Sequence, residues 1–157
     1  MSQNNSAFKL NEITFSCSSH STEDLDKVKT ALYNLIPENI RKDHEITIQH
    51  ISGHVGNPMR LLDLTIRKNR YLKATFDFLA EKIDKADKEY LYQIAESRID
   101  EDNCFYLRIN KQDAYSEQIT LDDGDNTIII VIKFIIYKSE PLQIVNALEN
   151  YGIIKKG

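Results

Sequence analysis

The sequence predicts an α+β fold: a single domain with a largely antiparallel mixed sheet and helices packed on one face. Three observations lead there. Short runs alternate apolar and polar residues with the period of a half-buried strand. Other stretches carry apolar residues at helical spacing between start and stop signals. The two kinds follow one another in mixed order, about six strands and three or four helices, rather than in strict β-α alternation. A chain of 157 residues, 41% hydrophobic and 28% charged, is long enough to bury a core of that kind.

The elements follow in order. The first six residues of "MSQNNSAFKL" read as a frayed polar tail, which leaves 7–157 for the domain. Ile13, Phe15 and Cys17 alternate with Thr14 and Ser16, a first strand. Ser21 or Thr22 then caps a helix with Leu25, Val28, Leu32, Leu35 and Ile36 on one stripe, and Pro37 stops it. "EITIQHI" alternates again. It leads through "SGHVGNP" into a strand with Leu62, Leu64 and Ile66 on one side and Asp63, Thr65 and Arg67 on the other, so these two strands form a hairpin.

Asn69 caps a second helix that buries Leu72, Thr75, Phe76, Leu79 and Ile83. A further helix from about Ala86 to Ser97 points Tyr90, Leu91, Ile94 and Ala95 inward. "CFYLRI" is a strand with Phe105, Leu107 and Ile109 on one face and Cys104, Tyr106 and Arg108 on the other, and "KQDAYSEQ" is one helical turn. "ITL", "DDGDN" and "TIIIVIKFIIYK" read as a hairpin around an Asp-Gly turn. Its last strand is apolar on both faces, as in a doubly covered central strand. Ser139, Glu140 and Pro141 open a final helix burying Leu142, Val145 and Leu148, and Gly152 ends it.

Composition excludes several functions. No apolar window is long enough for a membrane span, and the N-terminus lacks the apolar stretch of a secretory signal. Cys17 and Cys104 form neither a CxxC pair nor a zinc pattern, and read as free buried thiols of a cytoplasmic protein. His50 and His54 are separated by a strand and a loop and lack helical metal-ligand geometry. "DDGD" is too short for a calcium loop. No phosphate loop, nucleophile elbow or paired acid and base is visible, so no catalytic residue, metal or cofactor is expected.

Charge distribution says more than the net −4. Met59 to Lys73 holds Arg60, Arg67, Lys68, Arg70 and Lys73 against Asp63 alone. Glu81 to Asp102 holds eight acids and four bases, and Asp113 to Asp125 holds five acids and no base. An acidic chain that gathers its cations in one window presents one cationic face. Tyr106 and Arg108 share a strand face, with Lys111 and Gln112 at its end. Arginine and lysine neutralise phosphates, while arginine planes and tyrosine rings stack on unpaired bases. From spacing alone, a solvated face of ordinary ion pairs reads better.

"GHVGNP" is followed some forty residues later by "RIDEDNCFYLRINKQDAY" and then by the Asp-Gly segment. In order and spacing, from about Phe8 to Tyr137, the chain resembles an archaeal family of RNA-binding proteins and predicted exosome subunits. The resemblance implies a fold like that of the large-subunit ribosomal protein that binds 5S RNA. It also implies a non-catalytic accessory role in RNA processing or degradation. The family's motif positions fall on Gly53, His54, Gly56, Asn57 and Pro58, and on Arg98, Asp100, Tyr106, Leu107, Arg108, Lys111, Gln112 and Tyr115. Cys104 and Phe105 depart from the pattern. The candidate RNA contacts are therefore His54, Asn57, Arg60, Arg67, Lys68, Arg70, Tyr106, Arg108, Lys111 and Gln112, with the Gly53 and Gly56 backbone close to phosphate. RNA is the expected partner, with exosome or other RNA-processing proteins as further ones. The competing reading is an adaptor that docks a protein complex through its charged face.

Overall fold

Strand β1 (Phe8–His20) runs through the middle of a five-stranded sheet, flanked by β3 (Pro58–Ile66) and β5 (Thr127–Ile136). β2 (Thr47–Ser52) and β4 (Cys104–Asn110) complete the order β2-β3-β1-β5-β4, and every pairing is antiparallel. The computed structural model describes residues 8–52, 58–136 and 141–157. The expected tail over residues 1–6 and the Gly53, His54, Gly56 and Asn57 positions lie outside the described residues.

The alternation read in the sequence sets one side of the sheet. Leu64, Phe15, Ile130 and Leu107 lie side by side in register across β3, β1, β5 and β4, and each is at most 1% exposed. Against them pack α1 (Leu25–Tyr33), α2 (Asn69–Lys82), α3 (Lys85–Ile94) and α5 (Pro141–Asn150), which supply Leu32, Phe76, Leu91 and Leu148 to the same core. Phe76 meets Phe134 and Tyr151 edge-on, at 6.4 and 5.2 Å between ring centroids. α4 (Lys111–Tyr115) is a short turn capped by the Asn110 side chain.

Several expectations need correction. Asp24, not Ser21 or Thr22, caps α1, because β1 continues to His20 and a turn intervenes. Ile48, which the alternation of "EITIQHI" would bury beneath the helices, is only half-buried, since β2 is an edge strand. Tyr90 is exposed, leaving Leu91 and Ala95 as the buried residues of that segment. The "ITL" segment does not pair with β5. Leu121 bridges Ile109, and backbone bonds from Asn110 to Thr120 and from Asp122 to Arg108 lay it along the outer edge of β4. β5 pairs with β1 and β4 instead, so five named strands stand among the described residues. Nor is β5 covered on both faces. Ile128, Ile130, Ile132 and Phe134 are buried, whereas Ile129 and Val131 are half-buried and Ile135 is exposed on the opposite side.

Candidate nucleic-acid interface

Among the described residues, the side of the sheet turned away from the helices carries no helix. Its residues follow from register. One row reads Thr47, Asp63, Ser16, Ile129 and Arg108 across all five strands. The next reads Thr65, Thr14, Val131 and Tyr106, and a third sets Glu12 beside Lys133 and Cys104. Arg67, one residue past β3, reaches into that third row, its Nε donating to Glu12 Oε1 at 3.0 Å. Arg67, Tyr106 and Arg108 thus stand on one face of one sheet, although about forty residues separate them in the chain. Three interstrand spacings, about 14 Å, lie between β3 and β4.

Tyr106 is 36% exposed and held in place. Its hydroxyl donates to Asp100 Oδ2 at 2.8 Å, and Asp100 Oδ1 accepts the amides of Asp102 and Cys104 at 2.9 and 3.0 Å. The turn closes with Asn103 at φ 65°, a left-handed conformation that asparagine tolerates. The Asp100 bond, reinforced by burial, pushes the Tyr106 phenol up to about 12. Burial works to raise the Asp100 carboxyl, but the Cys104 amide, the Tyr106 hydroxyl and the Asp102 amide outweigh it and hold it low. The ring is therefore neutral, partly exposed and anchored at its hydroxyl end.

At the β3 end, Lys68 sits at the N-cap of α2 with no ion-pair partner among the described residues. The Arg70 guanidinium lies 4.7 Å from the Tyr71 ring centroid and donates to the Tyr71 hydroxyl, which donates in turn to Asp43. Arg67, Lys68, Arg70, Tyr71, His44 and Thr65 line one depression of about 440 Å³.

The remaining predicted contacts do not join this face. Arg60 has the inward parity of Leu62 and Leu64, and its Nη2 donates to Ser19 Oγ, His20 O and Glu23 O at 3.3, 2.8 and 3.1 Å. Lys111 is 8% exposed, and its Nζ bonds Ser18 O at 2.8 Å and Glu23 Oε2 at 3.1 Å. Burial works to raise the Glu23 carboxyl, but the His20 amide and the Lys111 ammonium outweigh it and hold it low. Both cations fasten the β1–α1 turn to the body and do not stand on the sheet face that carries Arg67, Tyr106 and Arg108. Gln112 is exposed on α4 and lines a separate cavity with Lys27 and Tyr115. Asp63, Ser16, Ile129 and Val131 were not singled out in the sequence. For Ile129 and Val131 the signal was the second apolar face of β5, and for Asp63 and Ser16 it was the polar side of the alternation in β3 and β1.

With this geometry in view, relatives decide the family. The RNA-binding family profile, described as "RNA binding", matches residues 12–134. The chain belongs to this RNA-binding family. It is 33% identical over 133 residues to RNA-binding protein PAB1135 of Pyrococcus abyssi, covering 84% of this chain and 86% of that protein. It is 34% identical over 131 residues to protein MJ0213 of Methanocaldococcus jannaschii, covering 82% and 87%. Among solved structures, protein AF2318 of Archaeoglobus fulgidus, a DUF54 protein, superposes with a TM-score of 0.80 at 30% identity over 91% of this chain and 99% of that one. The DUF54 protein Mth689 of Methanothermobacter thermautotrophicus shares the fold, with a TM-score of 0.76 at 23% identity over 91% and 98%. These DUF54 proteins therefore share this α+β architecture. Among the described residues, no group of three or more His, Cys, Asp or Glu side chains is placed to hold a metal, and no helix is long and apolar enough to cross a membrane.

Proposed function

We propose that the protein binds single-stranded RNA across the open face of its sheet, without catalysis of its own. The observation that carries this is the shared face of Arg67, Tyr106 and Arg108. A sheet face carrying an exposed, anchored aromatic ring suits splayed, unstacked bases better than a duplex, whose bases are already stacked. The cations at the start of α2 take the phosphates, and Tyr106, Val131 and Arg108 meet the bases. The family description and the name of the Pyrococcus relative support the reading. As an accessory factor in RNA processing or degradation, the protein would deliver or hold an RNA end for an exosome-type nuclease. Binding of matched single-stranded and duplex RNA across a salt series tests the first claim. Tighter binding of the single strand, falling steeply with salt, is expected; equal or stronger duplex binding overturns it. Co-purification with exosome subunits that survives nuclease treatment tests the second.

A further inference from the structure

The open face holds a depression of about 350 Å³ lined by Ser16, Asp63, Arg108, Asp125, Thr127 and Ile129, among others. Its floor is the row Asp63, Ser16, Ile129 and Arg108, in register across four neighbouring strands. Asp63 is half-buried and accepts the Ser16 hydroxyl, and no cation pairs with it among the described residues. Arg108 likewise has no ion-pair partner among them. A carboxylate at one end and a guanidinium at the other, about 14 Å apart at their Cα atoms, face each other over an apolar and hydroxyl floor.

This chemistry refuses phosphate. Asp63 and Asp125 set two carboxylates against one guanidinium. The part of RNA that such a cavity accepts is a base. An ionised carboxylate only accepts hydrogen bonds. Guanine alone presents two N–H donors side by side on its Watson–Crick edge, N1–H and the N2 amino group. Adenine and cytosine place one amino group beside an acceptor, and uracil places one N–H between two carbonyls. The other edge of guanine, O6 and N7, is the edge that arginine reads with two bonds. The two edges are adjacent and meet at O6, so a base over Ile129 with its Watson–Crick edge on Asp63 turns O6 and N7 to its flank, where the long, exposed Arg108 side chain bends to meet them.

We propose that this cavity binds one unpaired guanine base of RNA, with Asp63 setting the base preference and Arg108 holding the adjacent O6/N7 edge. The inference rests on the open face being the RNA surface. A free guanine nucleotide carries the same base but lacks the flanking nucleotides, whose phosphates extend toward the cations at the start of α2.

The test is fluorescence anisotropy with uridine oligomers carrying a single G, A, C or U at one central position. The guanine oligomer is expected to bind about 5- to 150-fold tighter than the others, the range of one good bidentate contact. Asp63→Asn, which keeps the shape and an acceptor for Ser16, is expected to abolish that preference without weakening the all-uridine oligomer. Arg108→Met is expected to reduce it. Circular dichroism melts of both variants confirm folding. Equal affinity for the four oligomers, or a preference retained in Asp63→Asn, overturns the guanine site while leaving RNA binding standing. No binding to any oligomer overturns the RNA surface itself. Competition by GMP as strong as by the guanine oligomer replaces the RNA base with a free nucleotide.

Discussion

The Tyr106 hydroxyl donates to Asp100 across the turn that opens β4, and the same carboxylate organises that turn through two backbone amides. One side chain therefore fixes both the path of the chain into the strand and the plane of the aromatic ring beyond it. The bond favours the neutral phenol in the folded protein, whose pKa rises to about 12. The stability it contributes is fully present below about pH 10, the ordinary tyrosine value, and is lost as the pH rises toward about 12. Asp100→Asn removes the charged acceptor, so Tyr106 is expected to ionise closer to pH 10. The difference in phenolate absorbance between each background and its Tyr106→Phe derivative measures this, and an unchanged late-titrating phenol contradicts it.

Lys111 and Glu23 form the second pair with a testable consequence. The ammonium reaches back from α4 to the Ser18 carbonyl and to the Glu23 carboxylate, joining distant parts of the chain. Lys111→Met leaves that carbonyl without its donor and the carboxylate without its cation. Glu23 is about one-third exposed, at 32% of its side chain, so water recovers part of the loss. The expected destabilisation is about 1–3 kcal/mol by urea unfolding. Adding Glu23→Gln to the same protein is expected to return part of it, because the uncompensated charge is gone.

The two faces of the sheet separate stability from binding. Leu107 is 1% exposed beneath the helices, whereas Val131 is half-buried on the open face beside Tyr106. Leu107→Ala is expected to cost about 2–5 kcal/mol of folding stability. Val131→Ala is expected to cost less stability than that and to weaken single-stranded RNA binding. Parallel thermal melts and binding curves check both. A Val131→Ala protein with full RNA affinity argues against bases lying over that row.

Much of the fold was legible because it depends on local period. Leu62, Leu64 and Ile66, like Phe105, Leu107 and Ile109, alternate cleanly, and burial follows the alternation. Partner choice was not legible. Thr120 and Leu121 have strand-like character, but nothing local says that they lie along β4 rather than against β5. The Asp-Gly signal is real as a turn, since Asp122 accepts the Gly124 amide, yet a turn does not dictate which strands it joins. The same limit divided the cations. Arg60 and Arg67 fall in one charged window, but parity sends the first toward the helices and the second toward the open face. Lys111 could not be separated from solvent-facing lysines by spacing, because what buries it is a carbonyl far away in the chain.

Arg67 and Lys68 provide the sharpest test of the cationic end of the face. The Arg67 side chain is 73% exposed and pairs with Glu12 at the surface, an arrangement that contributes little to folding. Lys68 is exposed at the N-cap of α2, where the helix dipole already favours anions. Replacing both with alanine is therefore expected to leave the melting temperature nearly unchanged. It is expected to weaken RNA binding by a similar factor whatever the base sequence. Each lost phosphate contact is expected to flatten the slope of log affinity against log salt by about 0.7 on a single strand. Tyr106→Ala acts differently. Loss of stacking costs about 1–3 kcal/mol for a single strand and leaves the salt slope where it was, because no cation is removed. The two variants must therefore change different observables: the slope at one end of the sheet, the salt-independent affinity at the other. A double set in which both variants move only the slope, or neither moves anything while remaining folded, would show that phosphates and bases do not divide across this face.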